Sequence, residues 1–175
     1  YYIDENKINI VNLALSGRSS KSYLLEKNYQ IVKDNITSGD FLLIGFGHNN
    51  EKDDDVARFT SANLPINDEN SFMYSLNEFY VKLAKNVGAT PILCTPIVRL
   101  NVDGIYEGTT IHETTNGDYR KSILDLGQLV DVLAIDLTTP TKELFENIKV
   151  EESCLHHAIT AGKYVDEKLV PNYKS

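Results

Sequence analysis

The sequence predicts an α/β fold, a three-layer α/β/α sandwich built around a parallel sheet. Two observations support this prediction: short apolar segments of strand length alternate with amphipathic segments of helix length, and turn-forming residues separate them. Strands and helices that alternate at this spacing require right-handed crossover connections, which make neighbouring strands parallel. The length of 175 residues fits one domain, so residues 1–175 are interpreted as a single domain.

The first predicted elements are a strand, a helix and a second strand. Residues 7–15 are almost continuously apolar, which is typical of a strand buried on both faces. A helix is predicted over residues 20–35 and a second buried strand over residues 41–46. Residues 47–70 are polar and are predicted to form a loop, in which the charge run of residues 51–55 lies in solvent.

The clearest helix follows this loop. Its N-cap is predicted at Asn70, and Gly88 is predicted just beyond its C-terminus. The apolar residues of this segment recur at helical spacing and therefore share one face: Phe72, Leu76, Phe79, Tyr80, Leu83 and Val87.

The remaining elements continue the alternation. A strand is predicted over residues 91–94, a loop over 95–117, a helix over 119–130 and a strand over 132–135. A final helix is predicted to open at Thr139-Pro140, with the proline at its first position, and to run to about residue 148. From residue 150 onward the periodicity fades.

The composition argues against several classes of protein. The chain has 17 Lys and Arg against 25 Asp and Glu, a net charge of −8, which disfavours nucleic-acid and anionic-membrane partners. No apolar run approaches the roughly 20 residues of a membrane-spanning helix. Cys94 and Cys154 have no zinc-ligand spacing, and no metal or cofactor is predicted. The sequence is compatible with either a secreted or a cytoplasmic protein.

Polar residues collect after three predicted strands, at the edge where open parallel sheets bind ligands. Residues 16–22 combine one glycine with several hydroxyls, but they lack the second glycine of a phosphate-binding loop, which disfavours a nucleotide ligand. His48 and Asn49 follow the second strand, and Arg99 follows the third. The neutral amide of Asn49 suits a developing oxyanion. His48 is interpreted either as a base or as a residue that holds the loop.

Taken together, these segments resemble the SGNH (GDSL-type) hydrolases, and within them the rhamnogalacturonan acetylesterase-like branch. The resemblance runs in order from about residue 8 to residue 147. The matching text comprises residues 12–23, Gly39-Asp40, Phe46-Gly47-His48-Asn49, residues 55–60, residues 88–99 and Asn116-Gly117-Asp118-Tyr119.

The resemblance implies a flavodoxin-like sandwich and hydrolysis of an O-acetyl ester on a carbohydrate by Ser, His and Asp, without a metal or cofactor. It also implies two oxyanion donors in this chain, the backbone amide of Gly17 and the side-chain amide of Asn49. Gly17 has no side chain, so a carbonyl oxygen can approach its N–H closely. The family usually has Asp after its asparagine, whereas this chain has Asn50, a change expected to soften a supporting contact.

The other catalytic parts of the family are not recognisable in the sequence. No Gly-Asp-Ser block precedes residues 12–23, and Ser16, Ser19 and Ser20 are poor substitutes for the nucleophile. No Asp lies three residues before any of the four histidines: His48, His112, His156 and His157. We therefore expect these 175 residues to lack the first strand and the C-terminal catalytic segment, as an internal piece of a longer chain or one completed by another segment.

The leading functional hypothesis is a carbohydrate acetylesterase acting on a pectin-type, rhamnogalacturonan-like glycan, with an acetylated oligo- or polysaccharide as its partner. Two alternatives stay open: an SGNH esterase or lipase with another acyl substrate, and a catalytically inactive glycan-binding module. A flavodoxin-like nucleotide binder would need a phosphate loop, which is not found. The sugar, the acyl group and the oligomeric state are not indicated by the sequence.

Overall fold

The computed structural model describes residues 7–101 and 103–148, which contain a three-stranded parallel sheet flanked by helices. Its strands are β1 (Phe41–Gly45), β2 (Thr90–Cys94) and β5 (Leu133–Ile135), where the numbers follow the order of all strands along the chain. The sheet order is β1-β2-β5, so β2 lies in the centre. Two further strands, β3 (Glu113–Thr114) and β4 (Gly117–Asp118), form a short antiparallel pair. The predicted α/β class with a parallel sheet is therefore confirmed.

Helices connect the strands of this sheet. A 3₁₀ turn at Ser22–Leu25 precedes the first α-helix, and a second 3₁₀ turn at Gly108–Ile111 precedes β3. The helical segments are α1 (Lys27–Asn35), α2 (Phe72–Leu76), a π-helical segment (Asn77–Val81), α3 (Lys82–Val87), α4 (Tyr119–Leu129) and α5 (Thr138–Asn147).

The continuous helix from α2 to α3 has well-defined ends. Its N-cap is Ser71, whose hydroxyl accepts from the amide of Tyr74 at 3.4 Å, so the predicted cap at Asn70 is one residue too early. Asn70 instead bonds locally to the carboxylate of Asp68. Gly88 has a φ of +79° and ends the helix as predicted.

The main core lies between the sheet and the helices α2 to α4. Phe72 and Tyr119 are fully buried with ring centroids 5.1 Å apart, so they join α2 to α4. Leu93, at the centre of β2, is also fully buried against this layer. A smaller cluster of Val98, Tyr106 and Phe145 packs α5 against the loop that follows β2.

The opposite face of the sheet is exposed and apolar. Phe41 is 68% exposed and Leu43 66%, while Ile44, which points to the helices, is 3% exposed. The prediction of a strand buried on both faces is therefore wrong for β1. The sheet register places Leu43 opposite Ile92, and Ile92 opposite Leu133, so one apolar row crosses all three strands.

Residues 7–15 do not form the predicted strand. Ile8, Ile10 and Val11 are 56–66% exposed, and the described residues provide no neighbouring strand for this segment. A strand needs a neighbour that accepts and donates its backbone hydrogen bonds. Side chains hold the segment instead: Tyr23 and Asn28 donate to the carbonyl of Leu13 at 2.7 and 3.0 Å.

The C-terminal prediction is partly outside the described residues. The helix α5 begins at Thr138, so Pro140 occupies its third position rather than its first. Cys154, His156 and His157 lie outside the described residues. None of the helices that the structure describes has the length and apolar character needed to cross a membrane. Residues 7–101 and 103–148 contain no group of three or more His, Cys, Asp or Glu side chains placed to hold a metal ion.

Candidate active site

The two residues predicted as oxyanion donors lie on turns that contact each other. The turn after residues 7–15 carries Gly17, and the turn after β1 carries Asn49. The side-chain amide of Asn49 donates to the carbonyl of Arg18 at 3.3 Å, which places it beside the Arg18-Ser19 peptide, just after Gly17. Gly17 and Asn49 are both partly exposed. The Asn49 side chain thus lies next to the turn that carries Gly17.

Gly17 is required there because of its backbone conformation. Its φ is +74°, in the left-handed region that side chains other than glycine rarely adopt. A Cβ atom added at this position would meet no heavy atom within 4 Å. Open space around the Gly17 backbone agrees with the predicted approach of a ligand, and the positive φ adds a constraint that the sequence did not indicate.

Gly47 fixes the position of the second turn. A Cβ atom at Gly47 would lie 2.7 Å from the ring of Pro96, which follows β2. The backbone after β1 therefore packs directly against the ring of Pro96, just beyond the end of β2. This contact brings Asn49 and the loop after β2 to the same edge of the sheet, as parallel pairing predicts.

A buried hydrogen-bond network joins the two turns from below. Asn50 is fully buried, and its amide donates to the hydroxyls of Ser20 and Thr60 at 2.7 and 2.8 Å. Its carbonyl oxygen accepts from the amide of Ser20 at 3.3 Å. Every polar atom of the Asn50 side chain is therefore satisfied, and the expected softening relative to Asp stays a prediction.

Helical side chains extend this network. The hydroxyl of Ser75 donates to that of Ser20 at 2.8 Å, and the hydroxyl of Tyr80 donates to the Ser20 carbonyl at 2.6 Å. Burial, followed by the neighbouring Tyr29 and Tyr23, raises the pKa of Tyr80, so its hydroxyl remains a neutral donor. Because Ser20 is fully buried and hydrogen-bonded, it cannot act as a surface nucleophile.

An ionic cluster holds the second turn from above. The ring of His112 is fully buried, with Nδ1 2.5 Å from a carboxylate oxygen of Glu51 and Nε2 2.6 Å from the carbonyl of Ile97. Arg99 donates to the other carboxylate oxygen of Glu51 at 3.1 Å and to the carbonyl of His48 at 2.7 Å. The Glu51 side chain is only 6% exposed, so the prediction that its charge run lies in solvent is wrong at its first residue.

An open groove of about 460 Å³ begins at this cluster. Polar and charged side chains predominate in its lining, with hydroxyls, amides and both signs of charge represented. The lining residues are Glu51, Lys52, Asp53, Arg99, Thr109, Thr114, Thr115 and Asn116.

The turns of Gly17 and Asn49 were predictable from the sequence. The cluster of Glu51, Arg99 and His112, which holds the turn of Asn49, was not. Arg99 was noted as a polar residue after a strand, and the structure brings it to the turn of Asn49 as expected. His48 is partly exposed and its ring packs edge-on against that of His112, with centroids 4.4 Å apart. The burial of His112 has no signal in the sequence, since it lies in a loop and is held by contacts with residues 15 and 61 positions away.

No protein-family model matches the chain. The chain is 33% identical over 142 residues to the rhamnogalacturonan acetylesterase RhgT of Bacillus subtilis (strain 168), covering 81% of this chain and 55% of RhgT. It is 41% identical over 49 residues to the rhamnogalacturonan acetylesterase of Emericella nidulans, covering 28% of this chain and 20% of that protein. The chain thus spans about half the length, or less, of the curated relatives that it matches.

The fold has a counterpart among solved structures. The crystal structure of the Bacillus subtilis protein YxiM superposes with a TM-score of 0.63 at 24% identity, covering 97% of this chain and 42% of YxiM. The sequence relatives and this likeness of fold confirm the predicted resemblance to the SGNH hydrolases. Three of the relatives carry the name rhamnogalacturonan acetylesterase, one of them as probable.

Proposed function

We propose that the protein is a carbohydrate O-acetylesterase that removes acetyl groups from a pectin-type, rhamnogalacturonan-like glycan. In this proposal residues 1–175 belong to a single catalytic domain, and Gly17 and Asn49 are its oxyanion donors. The observation that supports the proposal is the 3.3 Å contact between the Asn49 amide and the Arg18 carbonyl, because it joins the turn of Asn49 to the turn of Gly17.

The proposed chemistry is acyl transfer. A serine oxygen attacks the acetyl carbonyl carbon while a histidine, oriented by an aspartate, takes the serine proton. The carbonyl oxygen gains negative charge, and the N–H groups of Gly17 and Asn49 donate to it. The histidine returns the proton to the departing sugar oxygen, and water then releases acetate from the acyl-enzyme by the same route. The serine, histidine and aspartate of this mechanism are assigned to residues outside the 175 of this sequence.

Both donors suit the transition state for a physical reason. A backbone amide and a side-chain amide do not titrate at neutral pH, so they stabilise an oxyanion without changing charge themselves. The buried network under Asn50 fixes the two turns before substrate binds, which lowers the reorganisation needed during the reaction.

The proposed substrate class is supported by the groove and by the names of the relatives. The groove beside Glu51 presents hydroxyl, amide and charged side chains, which are the usual partners of hydroxyl-rich ligands. Three relatives are named rhamnogalacturonan acetylesterase, one of them as probable. An acetylated glycan is therefore favoured over a lipid.

The proposal is tested by replacing Asn49 in the full-length protein. We expect Asn49→Ala to lower kcat for acetylated rhamnogalacturonan by about 10²–10³-fold, since one oxyanion donor is lost. Acetate release under saturating substrate measures this loss. Asn147→Ala is the matched control, because the amide of Asn147 also donates to a backbone carbonyl but lies exposed on α5. An Asn49→Ala protein with unchanged kcat would contradict the assignment.

The alternatives give different results in the same assays. An esterase or lipase for another acyl group would hydrolyse longer-chain esters faster than acetyl esters at equal concentration. An inactive glycan-binding module would bind the acetylated glycan in calorimetry and release no acetate. Either result would replace the acetylesterase proposal.

A further inference from the structure

We infer that His112, Glu51 and Arg99 are positioning residues that hold the oxyanion-donor turn, and that His112 does so as a doubly protonated imidazolium. The inference rests on the proposed function, because it assigns the cluster a role in orienting Asn49. None of the three residues touches the reacting atoms in this assignment; each acts through the backbone on either side of Asn49.

The protonation of His112 follows from its two hydrogen-bond partners. Nε2 lies 2.6 Å from the carbonyl oxygen of Ile97, and a carbonyl oxygen only accepts, so this nitrogen carries a proton. Nδ1 lies 2.5 Å from an oxygen of Glu51, whose other oxygen accepts from Arg99. A carboxylate that accepts from a guanidinium is ionised and accepts at both oxygens. Both ring nitrogens of His112 therefore donate.

Because the cluster is buried, the charges of His112 and Glu51 must be paired with each other. The side chain of His112 is fully buried and that of Glu51 is 6% exposed, so each charge depends on its partner for stabilisation. Arg99, which is 34% exposed, brings a second positive charge to Glu51 from the side of the groove. Titratable neighbours of this cluster include His48, whose ring contacts that of His112, and Tyr119, whose pKa is raised by burial and then by Glu51 and Asp53. Lys52 and Asp53 line the groove beside Glu51 and Arg99.

The cluster clamps the turn on both sides of Asn49. Arg99 holds the carbonyl of His48, the residue before Asn49, and Glu51, two residues after Asn49, is held by both Arg99 and His112. The loop that carries these two cations is itself tied together, since the amide of Arg99 donates to the carbonyl of Thr110 at 2.8 Å. The direction of the Asn49 amide thus depends on side chains from the loop after β2.

The two hydrogen bonds donated by the His112 ring support the turn. A neutral ring would present the lone pair of one nitrogen to an oxygen acceptor, and that hydrogen bond would become a repulsive contact. The turn would then loosen and misplace Asn49. A displacement of about 1 Å at an orienting group is enough to cost roughly 10²-fold in rate.

The first test compares two replacements of Glu51 in the full-length protein. We expect Glu51→Ala to lower kcat for an acetyl ester by about 10–10²-fold with KM changed by less than about threefold. Glu51→Gln is expected to recover most of this loss, because its amide donates to a neutral His112 while its oxygen still accepts from Arg99. Equal losses of kcat in both variants would overturn the inference.

A double replacement tests whether the cluster acts through Asn49. Once Asn49→Ala has removed the donor, adding Glu51→Ala should lower kcat by less than about twofold, since residues that act as one unit are not additive. Multiplication of the two separate losses would overturn the inference. Asp125→Ala is the control for loss of a paired carboxylate, because Asp125 pairs with Lys121 on the exposed face of α4.

A spectroscopic test separates this inference from the proposed function. In ¹⁵N-histidine-labelled full-length protein at neutral pH, the His112 side chain should show both ring nitrogens protonated, and Glu51→Gln should convert it to the neutral form. A His112 signal with a single protonated nitrogen would overturn the inference whatever the activity. Absence of ester hydrolysis by the unmodified protein would count against the proposed function alone.

Discussion

Asn50 shows how much one buried side chain contributes to this site. It has three hydrogen-bond contacts, with the hydroxyl and amide of Ser20 and the hydroxyl of Thr60, and all are shielded from water. Buried polar groups that lose their partners cost about 1–3 kcal/mol each. The two turns are therefore joined by a contact whose loss affects the stability of both.

We expect Asn50→Ala to lower the free energy of unfolding by about 2–4 kcal/mol, because three buried hydrogen bonds are lost, although the Ser20 hydroxyl keeps its bond from Ser75. Asn50→Asp is expected to cost less, since a carboxylate accepts from the Ser20 amide and from both hydroxyls after they rotate. Denaturant unfolding of the full-length protein measures both values. Asn147→Ala is again the control, and equal costs for Asn50→Ala and Asn147→Ala would contradict the prediction.

At the residue scale, short ordered motifs pointed to two turns that the structure brings side by side, those of Gly17 and Asn49. The role of these two residues as oxyanion donors stays a prediction. Glu51 was misplaced because a run of charges has the same pattern whether it is solvated or paired. Its partner His112 lies 61 residues away, a distance over which a single sequence carries no pairing signal.

At the scale of elements, Asp136 joins three segments at the end of β5. Its carboxylate accepts from Arg120 of α4 at 2.5 Å, from Thr139 of α5 at 2.7 Å and from the hydroxyl of Thr95 at 3.2 Å. Burial alone would raise the pKa of Asp136, but the hydrogen bonds from Arg120 and Thr139 outweigh it and lower the pKa to about 2.

This shift predicts an acid-dependent contribution to stability. A carboxyl group with a lowered pKa stabilises the fold fully above its unfolded pKa, and the contribution disappears as the pH falls towards 2. We expect Asp136→Asn to lower the free energy of unfolding by about 2 kcal/mol at pH 6, since the shift is nearly two pKa units.

Denaturant unfolding of the full-length protein at a series of pH values checks this expectation. The difference between Asp136→Asn and the unmodified protein should narrow between about pH 4 and pH 2. Asp125→Asn, whose carboxylate is paired on an exposed helix face, should show a small difference that hardly changes over this range. A pH-independent cost for Asp136→Asn would contradict the assignment.

Elements were predicted well where local pattern suffices. The helix α4 and the strands β2 and β5 begin within about one residue of their predicted starts, because periodicity and capping residues define them. The helix α1 begins at Lys27 rather than at residue 20, since a 3₁₀ turn at Ser22–Leu25 occupies the start of the predicted helix. Residues 7–15 were misassigned because an apolar pattern shows the capacity to form a strand, while the strand itself needs a hydrogen-bonding neighbour. The π-helical segment has no distinct sequence signal at all.

At the scale of the whole molecule, one face of the sheet is apolar and exposed within residues 7–101 and 103–148. Leu43, Ile92 and Leu133 form one row across the three strands, and Phe41 extends the apolar area beyond it. Contiguous apolar surface of this kind associates in water. The 175-residue chain studied alone is therefore expected to self-associate through this face.

Light scattering and analytical ultracentrifugation of the 175-residue chain test this prediction. The double replacement Leu43→Ser and Leu133→Ser should shift the chain towards monomer, because both residues are more than 60% exposed on the same face. Leu25→Ser is the control, since Leu25 is 87% exposed but lies apart on a 3₁₀ turn. A monomeric unmodified chain, or equal association in all variants, would contradict the prediction.

The π-helical segment between α2 and α3 gives the long helix an unusual tolerance to changes in length. The amide of Lys82 bonds to the carbonyl of Asn77, five residues back, so this turn contains one residue more than a regular α-helical turn. A deletion of one residue here would return the turn to α-helical geometry and keep the flanking faces of Phe72 and Ala84 in phase. The same deletion would rotate Tyr80 away from the carbonyl of Ser20, so the helix would survive as a scaffold while the turn of Gly17 lost its anchor.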